Sequence, residues 1–297
     1  MNYLIYQAYN QEDNLNECLY SLYSLYALKE HYAIIIYTNK ASYLKQYAPS
    51  SLNITYREVS QQEIENWKGP FNFVHRFKIK MLLDVIKHLE GSHAILYLDA
   101  DTTIRCSLLH TFQEIEKGIL WMHTNEGSIT KNKKNKIFLK TTRYIQSNQT
   151  YSNKIPMVQN MWNAGALGFQ STDKHLLEKV LELTDQIYSE FSKHIVEQLA
   201  FSIVFSDQPN RALKALDNEI FHYWNFKEFR NTLKGFFNIN QEEAAIKKEY
   251  LKIDPEELIK VKYAFEAAPF FTKQFNKFTG KWKKKIAYQH IRVCQKD

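Results

Sequence analysis

Two acidic side chains follow a continuously apolar run of the sequence. The run Ala94–Leu98 leads directly into Asp99, Ala100 and Asp101. In an extended chain, residues i and i+2 project to the same side, so the two carboxylates point together. Such a pair at the carboxyl end of a strand suits Mg²⁺ or Mn²⁺, and either ion would also hold a diphosphate. The alternative is a strand that ends in an ordinary polar turn, because the Asp-x-Asp pattern alone is common.

The same residues match a second chemical pattern. Residues 99–103 read Asp-Ala-Asp-Thr-Thr, which fits the DxDxT pattern of haloacid-dehalogenase phosphatases. In that chemistry the first Asp is the nucleophile and the second is an acid/base. It also needs further acidic metal ligands downstream, yet the chain contains neither a DD pair nor a GDxxxD pattern. We therefore keep the phosphatase as an alternative that lacks part of its machinery.

Several other enzyme classes lose their usual sequence support. The chain has only 8 glycines and contains no GxGxxG and no GxxxxGK[ST] pattern. It also contains no HExxH and no GxSxG pattern. These absences disfavour dinucleotide oxidoreductases, P-loop NTPases, zinc proteases of the HExxH type and α/β-hydrolases.

Strand-like and helical patterns alternate in the first half of the chain. The predicted strands are residues 3–9, 33–37, 53–59 and 94–98, with helical spacing between them. This alternation predicts an α/β fold with a Rossmann-like, mostly parallel sheet flanked by helices. Further strands are predicted at 164–169 and 220–224, and helices at 173–191 and 195–206. Residues 124–154 read as a long polar loop with a basic patch, Lys131, Lys133, Lys134 and Lys136.

Five segments within residues 1–230 match one enzyme family in their order and spacing. They are Asp99-Ala100-Asp101 after its strand, Arg76 and Lys80 in the preceding helix, residues 161–167 (Met-Trp-Asn-Ala-Gly-Ala-Leu), Glu197-Gln198, and residues 221–224 (Phe-His-Tyr-Trp). Together they resemble the GT-A fold glycosyltransferases, most closely the bacterial and glycogenin-like transferases that use nucleotide diphospho-sugars. The family's HxxGxxKPW pattern is not kept, because Asn225 replaces the glycine, Lys227 comes one residue early and no Pro-Trp follows.

The resemblance implies a site for Mn²⁺ or Mg²⁺. Asp101 would bind the ion directly, Asp99 would bind it directly or through water, and His222 would be the third ligand as a neutral imidazole. A histidine between Phe221 and Tyr223 is also a reasonable packing residue, which is the alternative for His222.

The resemblance places basic residues at the donor diphosphate. Arg76 and Lys80 stand at i and i+4, so they share a helix face from which they could reach the diphosphate or the nucleotide. A solvated helix face is the alternative. Lys78 and Lys87 are expected in solvent.

The nucleoside would lie at the ends of the first two strands. The residues concerned are Gln7, Ala8 and Tyr9 after the first strand, and Thr38 and Asn39 after the second. Tyr9 could stack on the base, and Gln7 or Asn39 could read its edge. Turn chemistry at strand ends is the alternative explanation for these residue types.

The sugar pocket is assigned by the same resemblance. Asn163 and Gly165 would line it, where glycine lets the backbone approach closely. Glu197 and Gln198 would face the reacting sugar or the acceptor as the catalytic residues. Helices also often begin with Glu because of the helix dipole, which is the alternative for Glu197.

The resemblance therefore implies a hexosyltransferase of polysaccharide biosynthesis. It would transfer a sugar from a UDP-sugar to a glycan or lipid-linked acceptor, with retention of anomeric configuration. A non-catalytic, membrane-peripheral binding module on the same fold is a further alternative. An Asp101→Ala change would separate the two, because only a catalyst has metal-dependent turnover to lose.

The charge of the chain is concentrated at its end. Residues 1–224, the predicted catalytic domain, carry no net charge, whereas the predicted helical extension 225–297 carries the whole +7. Within the extension an apolar stripe recurs every three or four residues and is interleaved with lysines; it consists of Phe271, Phe275, Phe278, Trp282 and Ile286. Such a stripe either lies on an anionic membrane or packs on the catalytic domain. In the first case, deletion of residues 270–297 should weaken liposome binding and spare nucleotide-sugar binding.

The remaining features concern cellular location. The three cysteines, Cys18, Cys106 and Cys294, are far apart and odd in number, which favours a reducing cytoplasm over a disulfide framework. No segment reads as a signal peptide or as a membrane span. The expected location is cytoplasmic, with peripheral contact at the inner face of the membrane as an option. No nucleic-acid-binding pattern is present, so no nucleic-acid partner is expected.

Overall fold

The computed structural model describes residues 1–132, 135–152 and 159–294. The described strands are β1 (Asn2–Gln7), β2 (Ala33–Thr38), β3 (Ile54–Glu58), β4 (Ala94–Leu98), β5 (Thr102–Ile104), β6 (Leu120–Met122), β7 (Asn125–Ser128), β8 (Asn160–Trp162), β9 (Ala166–Gln170), β10 (Leu213–Ala215) and β11 (Ile220–His222). The described α-helices are α1 (Glu12–Ala27), α2 (Ala41–Tyr47), α3 (Gln61–Lys68), α4 (Arg76–Lys87), α5 (Leu109–Glu116), α6 (Lys136–Ser147), α7 (Gln149–Ser152), α8 (Lys174–Glu190), α9 (Val196–Ser206), α10 (Phe229–Ile239), α11 (Glu243–Glu249), α12 (Pro255–Ala267), α13 (Phe270–Thr279), α14 (Lys281–Lys285) and α15 (Tyr288–Cys294).

Seven strands form the central sheet in the order β10-β6-β9-β4-β1-β2-β3. β9 runs antiparallel to both of its neighbours, β4 and β6, and the remaining neighbours are parallel. The predicted α/β fold with a mostly parallel sheet is thereby confirmed. The sequence signal is strongest in β4, whose five residues are all buried because both faces of the sheet are covered.

Helices cover the two faces of this sheet. Leu4 and Tyr6 of β1 face one layer, which contains α1 and α10. Ile5 faces the opposite layer, which contains α4, α8 and α9. This alternation follows from the two-residue period of a strand. The loops after the strands are therefore held from both sides at the carboxyl edge of the sheet.

The extension is helical, as predicted, and it shares the core of the sheet. Phe229 and Phe236 of α10 are buried in the same cluster as Leu4. The cluster continues to Trp282 and Ile286. The boundary predicted between residues 224 and 225 therefore does not coincide with a break in the core.

The polar segment 124–154 is not a loop over its described part. β7 pairs antiparallel with β8, and α6 begins after an N-cap in which the Asn135 side chain accepts from two backbone N–H groups. α6 buries Phe138 and Ile145 against a cluster that contains Ile187 and Leu199. The loop prediction was wrong because this helix buries only one narrow face, so few apolar residues mark it. Lys133, Lys134 and Lys154 lie outside the described residues.

None of the helices that the structure describes combines the length and the apolar character needed to cross a membrane.

Candidate functional site

The two aspartates lie where β4 ends, and a short antiparallel pair brings His222 to them. The backbone N–H of Asp99 donates to the carbonyl of Gly165 at 2.7 Å. β5 follows directly and pairs with β11, so that His222 lies opposite Thr102. Asp99, Asp101 and His222 each offer one ligand atom, and these three atoms all lie within 4.8 Å of one another. The structure thus brings together the three residues predicted to bind a metal.

The neighbours of His222 determine which ring nitrogen faces the carboxylates. The Oδ1 atom of Asn163 accepts the N–H of Gly165 at 2.9 Å and lies 3.0 Å from His222 Nδ1. Because that oxygen is an acceptor, Nδ1 carries the hydrogen of the neutral ring. Nε2 lies 3.1 Å from Asp101 Oδ1, where a protonated ring donates to the carboxylate and a neutral ring could bind a cation. Two carboxylates and one imidazole nitrogen that converge in this way are a donor set that fits a divalent metal.

Gly165 makes room for this histidine. A Cβ atom on Gly165 would lie 2.2 Å from both Cε1 and Nδ1 of His222. No side chain fits at that distance, so the imidazole reaches Asp101 only because residue 165 has none.

Lys227 completes the surroundings of Asp101. Its Nζ lies 2.7 Å from Asp101 Oδ2, and its side chain is about half exposed. Burial favours the neutral carboxyl, but His222 and Lys227 outweigh burial and hold the pKa of Asp101 well below its usual range. Lys227 therefore reaches the site although its spacing departs from the family pattern.

Lys78 is buried in the site, so the prediction that it lies in solvent was wrong. Its Nζ lies 3.3 Å from Asp99 Oδ1 and 3.1 Å from Glu197 Oε1, and it donates to the Ala164 carbonyl at 2.9 Å. Burial opposes the charged form, yet the two carboxylates raise the pKa of Lys78. The helical period of α4 could have predicted the burial of Lys78, because this residue shares a face with the buried Leu82.

Glu197 stands in the first turn of α9 and is buried beside Lys78. Burial raises the pKa of Glu197 to about 7, against the opposing effect of the Lys78 charge. A carboxyl with this pKa can exchange a proton near neutral pH.

Glu126 of β7 connects two predicted site residues. One of its oxygens accepts from Asn163 Nδ2 at 3.1 Å, and the other accepts from Gln198 Nε2 at 2.9 Å. Sequence reasoning missed Glu126 because it lies in the segment interpreted as a loop. No pattern around it marks a site.

The site opens into a cavity of about 820 Å³. All predicted site residues line this cavity except Ala8, Thr38, Asn39, Arg76 and Lys80. Tyr9 forms part of the wall and packs on Phe77, with 4.5 Å between the ring centroids. The volume lies in the usual range for a small-molecule site.

The residues at the end of β2 serve the local turn. The Thr38 hydroxyl is buried and accepts the N–H of Lys40 at 3.0 Å. Asn39 exchanges two hydrogen bonds with Asn10, which has φ +63° and itself lines the cavity. Asn39 therefore acts on the cavity wall through Asn10. Ala8 is buried in the core.

The structure does not bring Arg76 or Lys80 to the cavity. Arg76 forms a bidentate ion pair with Asp185 of α8 at 2.7 and 3.0 Å, and it donates to the Trp67 carbonyl. Arg76 and Lys80 share one face of α4, and Lys78 lies on another, which faces the sheet. The basic residue that α4 contributes to the cavity is Lys78.

The extension also contributes to the cavity wall. Arg230 of α10 binds both carboxylate oxygens of Glu17 in α1, at 3.0 and 2.9 Å, and donates to Asn14 at 3.1 Å. All three residues line the cavity. Burial raises the pKa of Glu17, and the Arg230 charge opposes that effect. Nothing in the local sequence indicates this contact between residues more than 200 positions apart.

Comparison with solved structures gives neighbours that include three glycosyltransferases of low sequence identity. Mouse xyloside xylosyltransferase 1 aligns with a TM-score of 0.49 and 11% identity, over 73% of this chain and 85% of that chain. The galactosyltransferase LgtC aligns with a TM-score of 0.47 and 14% identity, over 73% of this chain and 74% of that chain. The glycosyltransferase GlyE of Streptococcus pneumoniae aligns with a TM-score of 0.42 and 12% identity, over 73% of this chain and 46% of that chain. No protein-family model and no curated protein sequence matches the chain.

Proposed function

We propose that this chain is a metal-dependent glycosyltransferase that uses a nucleotide diphospho-sugar, with a UDP-sugar as the expected donor. The observation that carries the proposal is the convergence of Asp99, Asp101 and His222 at the carboxyl end of β4, inside an open cavity. Ligands bind at this edge in open α/β sheets. Mn²⁺ or Mg²⁺ suits the oxygen-rich donor set.

The charges around the cavity suit a diphosphate. Lys78, Lys227 and Arg230 line it from α4, the segment after β11, and α10. Lys227 is about half exposed, so it can leave Asp101 and contact a phosphate oxygen once a metal neutralises that carboxylate. Lys78 is buried and keeps Asp99 and Glu197 in place. A nucleoside would contact Gln7 and Tyr9 on the wall beside the first strand.

The proposed mechanism follows from the charge that develops during transfer. Breaking the bond at the anomeric carbon leaves positive charge on the sugar and negative charge on the diphosphate. A bound divalent ion would supply Lewis-acid stabilisation of the leaving diphosphate. Asp99, Asp101 and His222 would hold that ion, and Lys227 adds positive charge beside Asp101.

Glu197 and Gln198 are the proposed catalytic residues on the sugar side of the cavity. An ionised Glu197 stabilises positive charge on the sugar, and it can also accept the proton of an acceptor hydroxyl. Gln198 and Asn163 both donate to Glu126, which fixes the positions of the two amides on the cavity wall. We propose a retaining reaction on the basis of the sequence resemblance, with a glycan or lipid-linked acceptor.

The proposal also includes the cellular location of the enzyme, which we expect to be the cytoplasm. Cys18 is buried and Cys106 is exposed, and both are free thiols. Their state supports the proposed cytoplasmic location.

The test is turnover of a panel of UDP-sugars with water as the acceptor, in the presence of Mn²⁺ or of EDTA. We expect UDP release that requires the metal and is lost in Asp101→Asn, with proton NMR reporting the α or β configuration of the released sugar. Asp207→Asn is the matched control, because Asp207 is exposed and does not line the cavity. Hydrolysis of phosphomonoesters without UDP release would instead support the phosphatase and overturn the proposal.

A further inference from the structure

Helix α13 differs from the rest of the extension because it buries no residue. Four of its ten residues are phenylalanines, and the exposed fractions of Phe271, Phe275 and Phe278 are 84%, 57% and 94%. Phe270 is exposed as well. Phenylalanine is usually buried, and a contiguous exposed apolar patch marks an interaction surface.

The exposed rings lie on one side of the helix. Phe271, Phe275 and Phe278 stand at i, i+4 and i+7, so they form one face. Lys273 and Lys277 project from the opposite side of the same helix. α13 therefore carries three phenylalanines on one side and its two lysines on the other.

The charge near this face is of one sign. Residues 267–296 contain no acidic residue. The lysines of α13 and α14 form no ion pair with any carboxylate in the described part of the chain; they are Lys273, Lys277, Lys281, Lys283, Lys284 and Lys285. Elsewhere lysines such as Lys214 and Lys252 are paired. The absence of acidic partners leaves the surface complementary to a negative one.

Residues on the carboxyl side of α13 attach it to the core. Trp282 of α14 stacks on Phe265 with 4.9 Å between centroids and 13° between planes. The carbonyl of Ile286 accepts from the Thr232 hydroxyl at 2.6 Å. The predicted stripe is thus divided: Trp282 and Ile286 pack on the domain, and the three phenylalanines face outward.

We propose that the aromatic face of α13, with the lysines of α14, of which Lys281 lies 5.2 Å from the Phe275 ring centroid, docks on the surface of an anionic lipid bilayer. Aromatic side chains enter the boundary between headgroups and acyl chains, and lysines at the surface interact with the phosphates. A second copy of the chain would cover the rings but bring two lysine clusters together. A nucleic-acid duplex would match the lysines and leave the rings exposed, because its bases are already stacked on one another. Of these three partners, the bilayer satisfies both sets of side chains.

The aromatic part is tested by sedimenting the full-length protein with vesicles. The vesicles contain phosphatidylcholine alone or phosphatidylcholine mixed with phosphatidylglycerol. We expect binding to the anionic vesicles, reduced by at least about tenfold in the triple variant Phe271→Ser, Phe275→Ser, Phe278→Ser. The matched control is Leu109→Ser with Leu251→Ser, because both leucines are exposed and lie outside this surface. Circular dichroism melts confirm that all variants fold.

The electrostatic part is tested by Lys283→Gln, Lys284→Gln, Lys285→Gln. Each lysine near an anionic surface contributes appreciably to binding, so we expect a loss of at least about tenfold, and a similar loss of wild-type binding in high salt. Lys87→Gln is the control, since Lys87 is exposed on α4.

Equal binding of wild type and both triple variants would overturn the proposal. Self-association that disappears with the phenylalanines, without vesicle binding, would also overturn it and assign the face to a second copy. Vesicle binding needs no donor turnover, so it can fail or succeed independently of the glycosyltransferase.

Discussion

The His222 ring fills the space in which a side chain on residue 165 would lie. The proposed metal site therefore depends on the glycine at position 165. In Gly165→Ala the new Cβ would lie 2.2 Å from the imidazole, so the ring must move away from Asp101. We expect Mn²⁺ affinity to fall by at least about tenfold, as for other residues that orient metal ligands. Isothermal titration with Mn²⁺ measures the effect.

The control for this change is Gly235→Ala in α10. Its Cβ would lie 3.4 Å from the nearest side-chain atom, which is ordinary contact. Ala in a helix interior gains up to about 1 kcal/mol over Gly, so stability should be kept or raised and Mn²⁺ affinity unchanged. Unaltered Mn²⁺ affinity in Gly165→Ala would contradict the role given to His222.

Glu197 should make the protein less stable as the pH rises. Burial raises its pKa from 4.5 to about 7, so the folded state holds the proton more tightly than the unfolded state. This contribution is complete below pH 4.5 and is lost as the pH rises through about 7, with a size of about 3 kcal/mol. Urea unfolding between pH 4.5 and pH 8 should show a smaller decline in Glu197→Gln than in wild type. Parallel curves would refute the buried-carboxyl interpretation.

At the level of residues, the sequence predicted that Asp99, Asp101 and His222 converge, because local features mark all three. Asp99 and Asp101 stand two apart after a strand, and His222 lies in a recognisable segment. Lys78 was missed although it shares the buried face of α4, because its charge was given more weight than its position. Glu17 and Glu126 could not have been found, since their partners are distant in sequence and no local pattern marks either residue.

At the level of elements, the ion pair between Glu17 of α1 and Arg230 of α10 joins the extension to the cavity wall. Glu17 is 2% exposed in its side chain and Arg230 is its ion-pair partner. In Arg230→Met the carboxylate is left buried without its cation, which costs about 3 kcal/mol or more of the free energy of unfolding. Urea denaturation measures the loss.

The double variant Arg230→Met with Glu17→Met should recover most of this stability, because two apolar side chains can replace a buried pair. The exposed pair of Lys260 and Glu257 gives a control, and Lys260→Met should leave the free energy of unfolding nearly unchanged, because solvent screens that pair. A double variant no more stable than Arg230→Met would show that the buried charge is not the cause.

The predicted elements agree with the structure where the hydrophobic period is strong. β2 and β4 are apolar runs within a covered sheet, and α4, α8 and α9 carry wide buried faces. α6 was not predicted, because it buries only one narrow face and few apolar residues mark it in the sequence. Its stability comes from tertiary packing, which the periodicity of its own sequence does not reveal.

At the level of the whole molecule, the net charge of +7 belongs to an extension that is built into the core. Trp282, Ile286, Tyr288 and Ile291 are all buried there. Deletion of residues 270–297 would remove them, and each large buried side chain contributes about 2–5 kcal/mol. We therefore expect the truncated chain to lose its cooperative melt by circular dichroism, rather than to spare nucleotide-sugar binding. A truncated chain with the wild-type melting temperature would contradict this account of the extension.

The central claim is that Asp99, Asp101 and His222 hold a metal that binds a nucleotide diphospho-sugar. The direct measurement is the free energy of unfolding in urea with UDP-sugars, with and without Mn²⁺, for wild type and Asp101→Asn. At donor concentrations about 100 times Kd, one UDP-sugar should add about 2.7 kcal/mol to wild type in Mn²⁺ and far less without it or in Asp101→Asn. Stabilisation that is absent for every UDP-sugar, or that is equal with and without Mn²⁺ and unchanged in Asp101→Asn, would contradict the claim.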